Sequence, residues 1–573
     1  MIARWLILVF LFAGLAPAQV APEGNAHPEA QIVSEAGRDS ENPFGSVRPW
    51  QTGRSAEVVR AEIAAKAALA RRVDLSPLRS AAVFHSGRVK ILDTLARETV
   101  RGVCGRSTYQ DFLDPEAPGE KVEVVSYDPL FTLLDFVIDP AYYGDKPLIH
   151  VEYLNLRREL LERAFPTDER ARERSLRATR VSPDVLVRHL PGVLEAYPAS
   201  LPHRESVDKI DAAISLFQLS AANMMVVVPD HRGEPYRHLG HLPADAPARA
   251  AARALGEAWR AGEAERVNEH AAELARALRA INPELYPEGG LELAYNATRP
   301  FEWGLWIYAL SFVLLVVAFG TSRKWVAAVG VSVLVLAVAA HASGFVMRCL
   351  IAERFAIQNQ FESMTGLSLF AALAGLAIMI VRKQWLFGAA AAGVGFIVLV
   401  AATQTGIPGK SIEREAAILN TSWLLKYHVT IVLLSYGLIS LGCLISLFYL
   451  WVHLRGRENA AADLDAPTGR DRALKDLDTA QMVVLQLAFW ALLVGILLGA
   501  WWADHSWGRF WAFDPKETWA LVTWIIYLIV IHVRIVAPRR GLVTAILSVV
   551  GFVVMLWTYF GVNLLLPGLH AYA

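Results

Sequence analysis

Cysteine is scarce in this chain, since only three occur among 573 residues and none belongs to a CxxC pair. A thiol redox centre therefore has little support. The chain also lacks an excess of charge, with 55 Lys and Arg against 55 Asp and Glu, and no basic tract stands out. Nucleic-acid binding is therefore not supported.

Charged residues are unevenly distributed, and the second half has few of them. Only 33 of the 110 charged residues lie after residue 300. Overall, 54% of the residues are hydrophobic and 19% are charged, which is too apolar for an ordinary soluble protein of this length. We therefore predict a soluble front half joined to a membrane-embedded back half.

The first residues have the pattern of a secretory signal. Residues 1–18 carry Arg4, an apolar stretch from Trp5 to Leu15, and small residues up to Ala18. The alternative is an uncleaved membrane anchor, but either segment would export the domain behind it. Residues 19–50 are rich in Pro, Gly, Ser and charge and are predicted to be a linker. Residues 51–300 would then form an extracytoplasmic soluble domain.

This front domain is predicted to be mostly helical, with a few strands. Helical periodicity covers Ala56–Arg72, Leu154–Arg177 and Ala246–Ala280, the last as a helical pair. Short strands are predicted at 122–125 and 224–228. The apolar run 212–228 contains Gln218 and Asn223 and is slightly short for a membrane span, so it is predicted to be buried core.

The back half contains eight membrane-length apolar runs, which predict an all-α polytopic membrane domain over 301–573. The runs are 303–320, 325–342, 364–381, 385–402, 428–452, 482–502, 518–536 and 542–563. Alternate links between them are short and basic, as at Arg323-Lys324 and Arg382-Lys383. The positive-inside rule places those links in the cytoplasm. The other links, and the front domain, would then lie outside.

Tryptophan is concentrated in one segment, because six of the 17 tryptophans fall within 501–524. The segment is predicted to be a loop between spans six and seven. An interfacial aromatic belt is one explanation, and a binding surface for a large, planar, apolar ligand is the other. Within it, Asp514-Pro515-Lys516-Glu517 predicts a helix start with Asp514 as the N-cap. Asp514 therefore has a structural explanation as well as a functional one.

The segment WGRFWAFDPKETWALVTWIIYLIVIH closely resembles the tryptophan-rich "WWD" signature, WGxxWxWDPKExW, of haem-handling proteins in cytochrome c maturation. The chain departs from that pattern at Phe513, where the signature has a tryptophan. Two further segments support the resemblance. Residues 359–363, NQFES, are similar to the NxYES piece of CcsA-type proteins. Residues 87–97 resemble a segment found upstream of the membrane part in some fused cytochrome c biogenesis proteins.

Three histidines have positions that suit haem ligation. His428 opens span five at the outer boundary, and His570 comes after span eight on the same side. His532 lies about 14 residues into span seven, or about 21 Å below the outer surface at 1.5 Å per residue. An ionisable side chain at that depth is by default functional. His341, near the predicted outer end of span two, is the main rival ligand.

The resemblance to CcsA-type proteins implies the function of these residues. It implies that His428 and His570 ligate haem b iron on the outer face and that His532 ligates haem deeper in the membrane. It also implies that haem contacts Trp501, Trp502, Trp507, Trp511, Asp514 and Trp519. The chain would present haem for thioether attachment to an apocytochrome c with a CxxCH motif. No side chain need act as a general acid or base.

The same resemblance implies location and partners. The protein would lie in the inner (cytoplasmic) membrane, with its front domain and tryptophan segment in the periplasm. A separate CcsB (ResB) membrane subunit would supply the second ligand of the deep haem, and a thioredoxin-like protein would keep the apocytochrome thiols reduced. The alternatives are a haem exporter or relay without synthase activity, a solute transporter, and a signalling receptor. No internal repeat supports a transporter, and the longest inner loop is too short for a receptor output domain.

Overall fold

The computed structural model describes residues 42–48, 54–113, 123–196, 201–414, 422–455, 469–537 and 540–568. The predicted signal at 1–18, most of the predicted linker and His570 lie outside these ranges. The chain divides into a front unit that ends at Ala297 and a back unit that begins at Thr298. Each unit is described separately.

The front unit is mostly helical, as predicted, and its strands form two-stranded antiparallel pairs. Its helices are α1 (Ala56–Arg72), α2 (Ser76–Arg79), α3 (Leu92–Cys104), α4 (Pro129–Ile138), α5 (Leu154–Ala164), α6 (Glu169–Ala178), α7 (Pro183–Ala196), α8 (Leu201–Gln218), α9 (Pro247–Ala261), α10 (Ala264–Ile281) and α11 (Gly290–Thr298). Its strands are β1 (Ala82–His85) with β2 (Arg88–Ile91), β3 (Gln110–Leu113) with β4 (Glu123–Ser126), and β5 (Ile149–His150) with β6 (Arg180–Val181).

Two predictions for the front unit need correction. The helix predicted over 154–177 is two helices, because Pro166 cannot donate a backbone hydrogen bond and Asp168 caps α6 by accepting from the backbone N–H of Ala171 at 3.0 Å. The strand predicted at 224–228 is only a single bridge between Val227 and Arg237, which Pro229 prevents from extending. Within the run 212–228, residues 224–228 are buried as predicted, whereas the part in α8 is amphipathic, with Phe217 buried and Gln218 exposed.

The segment 87–97 forms the turn of the β1–β2 hairpin, strand β2 and the first turns of α3. Ser86 and Gly87 both have positive φ (51° and 74°), as a type I′ hairpin turn requires. Arg88 then pairs with Glu292 of α11 at 2.8 Å. The segment therefore holds α11, the helix that directly precedes the first membrane span in the sequence.

The back unit contains eight helices long and apolar enough to cross a membrane within the described residues, which confirms the predicted number. They are α12 (Pro300–Thr321), α13 (Lys324–Ile351), α14 (Gln360–Arg382), α15 (Trp385–Gln404), α16 (Trp423–Arg455), α17 (Gly469–Trp507), α18 (Pro515–Val536) and an eighth built from α19 (Arg540–Leu556), a π-helical turn (Trp557–Gly561) and α20 (Val562–Leu565).

Several of these helices run beyond the apolar stretches that predicted them. Helix α13 continues to Ile351 instead of ending at 342, because the charged Arg348 in its last turn is fully buried and paired with Glu362 of α14 at 3.0 Å. His341 therefore lies well inside the helix and not near its end. Charges interrupt a hydropathy pattern, but they do not interrupt a helix in which they are paired.

Small residues bring the membrane helices close together. A Cβ at Gly437 of α16 would lie 3.0 Å from the carbonyl oxygen of Leu367 on α14. The Ser435 hydroxyl donates to the carbonyl oxygen of Ala488 on α17 at 3.0 Å. Close backbone approach and interhelical hydrogen bonds are the usual means of helix association in a membrane.

Candidate functional site

The tryptophan-rich segment is mostly helical and not a loop over 501–524. Helix α17 continues through Trp501 and Trp502 to Trp507, and α18 begins at Pro515. Only residues 508–514 connect the two helices. Gly508 ends α17 with φ of 69°, a conformation that favours glycine. The aromatic and alanine residues before it are compatible with a helix, and composition alone did not reveal where it stops.

The start of α18 has the predicted capping box. The Asp514 side chain accepts from the backbone N–H of Lys516 at 3.1 Å, and Glu517 accepts from the backbone N–H of Asp514 at 3.3 Å and of Ala512 at 2.9 Å. Asp514 is buried, so this structural function is established by its contacts. The capping also fixes the path of the connecting residues.

The predicted tryptophans do not form a single wall. Trp502 is buried and packs edge-on against Trp507, with ring centroids 4.8 Å apart. Trp501 is exposed, and its ring centroid lies 6.4 Å from that of Trp423 on α16. The ring centroids of Trp519 and Trp557 lie 5.8 Å apart. Of the predicted set, only Trp502 and Trp511 line the large cavity of the back unit.

This cavity lies where the first turns of α14, α16 and α18 meet the last turns of α17 and of the eighth span. It encloses about 1440 Å³ of empty space, including the part open to solvent. Its walls are mostly apolar, and its polar side chains include Gln360, His428, Lys516 and Asn563. This combination of apolar walls with a few placed polar groups is typical of a small-molecule site.

His428 is held in one orientation on the cavity wall. Its Nδ1 donates to the backbone carbonyl oxygen of Gly495 on α17 at 2.8 Å, since a carbonyl can only accept. This bond fixes the neutral tautomer in which Nε2 is the basic nitrogen. Metal-binding histidines typically have this arrangement, with the second ring nitrogen bonded to a carbonyl or carboxylate. The ring also packs so closely on Gly499 that a Cβ there would lie 2.5 Å from Cε1.

The NQFES segment forms another part of the same wall. Asn359 caps α14 by accepting from the backbone N–H of Glu362 at 2.9 Å, and the Ser363 hydroxyl bonds to the Tyr559 hydroxyl at 2.5 Å. Glu362 is fully buried between Arg348 (3.0 Å) and Arg354 (2.6 Å). These three charged residues lie between the second and third predicted apolar runs, and the sequence did not show that they meet.

The π-helical turn places two further cavity residues that the sequence did not single out. Tyr559 lies in the turn and Asn563 lies just after it, and both line the cavity. The Thr558 hydroxyl bonds to the Thr523 hydroxyl of α18 at 2.8 Å, which secures the turn. π-helical turns inside α-helices are frequent at functional sites.

The two other candidate histidines within the described residues, His341 and His532, do not line the cavity. His532 is exposed on α18, and its Nδ1 donates to the carbonyl oxygen of Leu528 at 2.8 Å. It lies 17 residues after Pro515, which is about 26 Å along the helix axis. His341 is fully buried, and its two ring nitrogens contact the Tyr308 hydroxyl (3.3 Å) and the carbonyl oxygen of Thr365 (3.0 Å). These contacts hold His341 as a structural residue.

The described chain stops beside the tryptophan segment. A Cβ at Gly568 would lie 2.6 Å from Oδ1 of Asp514 and 3.1 Å from Cδ of Pro515. His570 comes two residues later and lies outside the described residues. Within the described ranges, no group of three or more His, Cys, Asp or Glu side chains could hold a metal ion by itself.

The cysteines do not form a redox pair. Cys104, Cys349 and Cys443 are all free thiols. Complete burial raises the pKa of the Cys104 thiol to about 12, so it stays protonated at neutral pH. A protonated, buried thiol is a poor nucleophile.

Comparison with known proteins identifies the family. A model of the cytochrome C assembly protein family matches residues 303–570. The chain is 38% identical over 156 residues to the cytochrome c biogenesis protein CcsA of Chlamydomonas reinhardtii, covering 27% of this chain and 41% of that protein. It is 32% identical over 251 residues to CcsA of Porphyra purpurea, covering 38% and 78%. It is 32% identical over 289 residues to CcsA of Synechococcus elongatus, covering 44% and 88%. The chain therefore belongs to the cytochrome c assembly family, as a cytochrome c biogenesis protein of the CcsA type.

Proposed function

We propose that the cavity binds haem b and presents it for covalent attachment to an apocytochrome c. One observation carries the proposal: His428, the tryptophan signature and the NQFES segment are separate in the sequence, yet all line one cavity. Haem is a large, planar, apolar substrate with two carboxylates at one edge. Mostly apolar walls with a few polar groups and one oriented imidazole fit such a molecule.

His428 and His570 are the proposed axial ligands of the iron. The Nδ1 bond to Gly495 supports His428, because it makes Nε2 the coordinating nitrogen. The contact of Gly568 with Asp514 and Pro515 supports His570, because the chain continues from there. Two imidazoles would close both faces of the iron while the vinyl groups remain accessible.

The attachment reaction needs no oxidant. Each thiol of the CxxCH motif adds across one vinyl group, so that the sulfur bonds to one vinyl carbon and the thiol hydrogen goes to the other. The protein supplies orientation, and the substrate supplies the reactive groups. Both thiols must stay reduced, which is the proposed function of a thioredoxin-like partner.

The cavity is proposed to face the outer side of an inner membrane. The basic link 382–383 lies at the end of α14 opposite to the end that lines the cavity, and link 321–324 is basic as well. By the positive-inside rule these links are cytoplasmic. The cavity would then open toward the compartment where c-type cytochromes mature.

His532 is proposed to bind haem together with a partner. The side chain is exposed on the membrane-spanning part of α18, and its Nδ1–H is bonded to Leu528, which leaves Nε2 as the basic nitrogen. A polar group exposed in a bilayer is costly unless something pairs with it. A CcsB-type membrane subunit would provide that partner and the second axial ligand.

The visible spectrum of the purified full chain tests both sites. Replacing His428 with Ala is expected to lower bound haem or to make it oxidise readily, and added imidazole should partly restore the wild-type spectrum because the missing ligand is small and diffusible. Leaving His428 intact and co-expressing the partner subunit should add a second haem that His532→Ala removes.

Two outcomes would contradict the proposal. An unchanged spectrum and haem content in His428→Ala would show that His428 does not ligate haem in the cavity. Full occupancy of the deep site in the chain purified alone would show that no partner subunit is needed there. If His341→Ala then abolished that occupancy, His341 and not a partner subunit would be the second ligand of the deep haem.

A further inference from the structure

Three residues of the cavity wall carry polar atoms that have no hydrogen-bond partner among the described residues. Nε2 of Gln360 and Nε1 of Trp502 are buried hydrogen-bond donors with no partner among the described residues. Oδ1 of Asn563 is a buried hydrogen-bond acceptor that also has no partner among the described residues. All three side chains line the cavity. A buried donor without a partner costs about 1–3 kcal/mol, so such groups require an explanation.

The positions of the two donors are set by the protein around them. Gln360 is the first residue of α14, where Asn359 caps the helix, and its side chain is 7% exposed. Trp502 is 2% exposed and packs against Trp507. The donor nitrogen of neither side chain makes a hydrogen bond to the described residues. Packing therefore holds two N–H groups in place before any ligand binds.

The charges around the cavity favour an anionic ligand. Lys516 and Lys426 line the cavity, and each brings an ammonium group. Glu517 also lines it, but its carboxylate accepts from the backbone N–H groups of Ala512 and Asp514 in the capping box. The negative charge is therefore directed to the helix start. Two neutral donors and two cations remain for the ligand, a set that suits carboxylates.

We propose that Gln360 and Trp502, assisted by Lys516, bind the propionate carboxylates of haem and so set its rotation in the cavity. This inference rests on the proposed function, because it names the residues that bind one edge of the same substrate. Axial ligands fix the plane of the porphyrin but leave it free to turn about the iron–nitrogen axis. Carboxylate contacts at one edge remove that freedom and decide where the two vinyl groups lie.

The test compares haem b with haem dimethyl ester, in which both carboxylates are neutral, on the purified full chain. Wild-type protein is expected to bind haem b at least about tenfold more tightly than the ester, since hydrogen bonds to charged groups contribute about 1.5–3 kcal/mol. Gln360→Met and Trp502→Phe keep the size or the ring and remove the donor. Each should weaken haem b binding about tenfold and ester binding much less, because an uncharged ester carbonyl is a weaker acceptor than a carboxylate.

The chain offers matched controls for both substitutions. Gln481 and Trp524 also have buried polar atoms without a partner among the described residues, and neither lines the cavity. Gln481→Met and Trp524→Phe are therefore expected to leave the preference for haem b over the ester unchanged. Should Gln360→Met fail to accumulate in the membrane, Trp502→Phe carries the test alone.

The outcomes separate this inference from the proposed function. If haem b binds through His428 but wild type and both donor variants show no preference over the ester, the propionate assignment is wrong and the haem site stands. If neither porphyrin binds and His428→Ala changes nothing, the proposed function itself is wrong. An equal loss of haem b and ester in the donor variants would assign the two residues to packing.

Discussion

At the scale of single residues, Gly499 determines how closely the His428 imidazole lies against α17. A Cβ at this position would come within 2.5 Å of Cε1, 2.8 Å of Nδ1 and 3.1 Å of Nε2 of that ring. Distances this short cannot be accommodated without moving the ring. The absence of a side chain at 499 is thus part of the geometry that lets Nδ1 reach the carbonyl oxygen of Gly495.

Gly499→Ala is expected to displace the His428 ring and to change the haem spectrum at normal protein levels. Alanine is a better helix former than glycine by about 1 kcal/mol, so α17 itself should not be weakened. Gly320→Ala is the control, because a Cβ there meets nothing within 4 Å. A wild-type spectrum and haem content in Gly499→Ala would show that the ring position does not control ligation.

Contacts of single residues differ in whether the sequence could predict them. Capping by Asp514 was predictable, because cap, proline and glutamate lie within one four-residue stretch. The ion pairs of Glu362 with Arg348 and Arg354 were not, because Arg348 and Glu362 are brought together by the turn between two helices. Local geometry is encoded by neighbouring residues, whereas a contact between elements depends on which faces meet.

At the scale of elements, the tryptophans of α17 and of the connection to α18 differ in what they contact. Trp507 lies on α17 and packs against Trp502, outside the cavity lining. Trp511 belongs to the short connection and lines the cavity. Composition alone predicted one aromatic surface, because it cannot assign the faces of a helix whose end is not known.

Replacing Trp511 with Ala should therefore lower haem retention, while Trp507→Ala should act first on the packing of α17. Removing a buried aromatic contact costs about 2–3 kcal/mol. The two effects are separable by measuring haem content and membrane protein level for each variant. Loss of Trp511→Ala protein from the membrane, with haem content per remaining molecule unchanged, would favour an anchoring function instead.

At the scale of the whole molecule, the apolar runs predicted the number and order of the membrane-length helices, and the eight helices of the described residues confirm both. The apolar runs did not predict where the helices end, since α13 and α17 continue through charged or aromatic residues. The soluble front unit was predictable as mostly helical.

The proposed orientation of the molecule can be checked without haem. A reporter fused after Arg457 is expected on the cytoplasmic side, and one fused after His570 on the outer side. The physical reason is the basic character of alternate links. If either reporter gave the opposite answer, the tryptophan segment, His428 and His570 would not share the outer side, and the proposed haem site would be contradicted.

The residues that line the cavity extend along the sequence from Phe355, just before the third span, to Asn563 at the end of the eighth. A ribosome makes these segments in order, so the chain spends part of its synthesis with His428 already in the membrane and the π-helical turn still to come. During that time the wall that carries Tyr559 and Asn563 does not exist. An interrupted chain would insert its earlier spans without this wall, so the proposed haem binding requires the completed polypeptide.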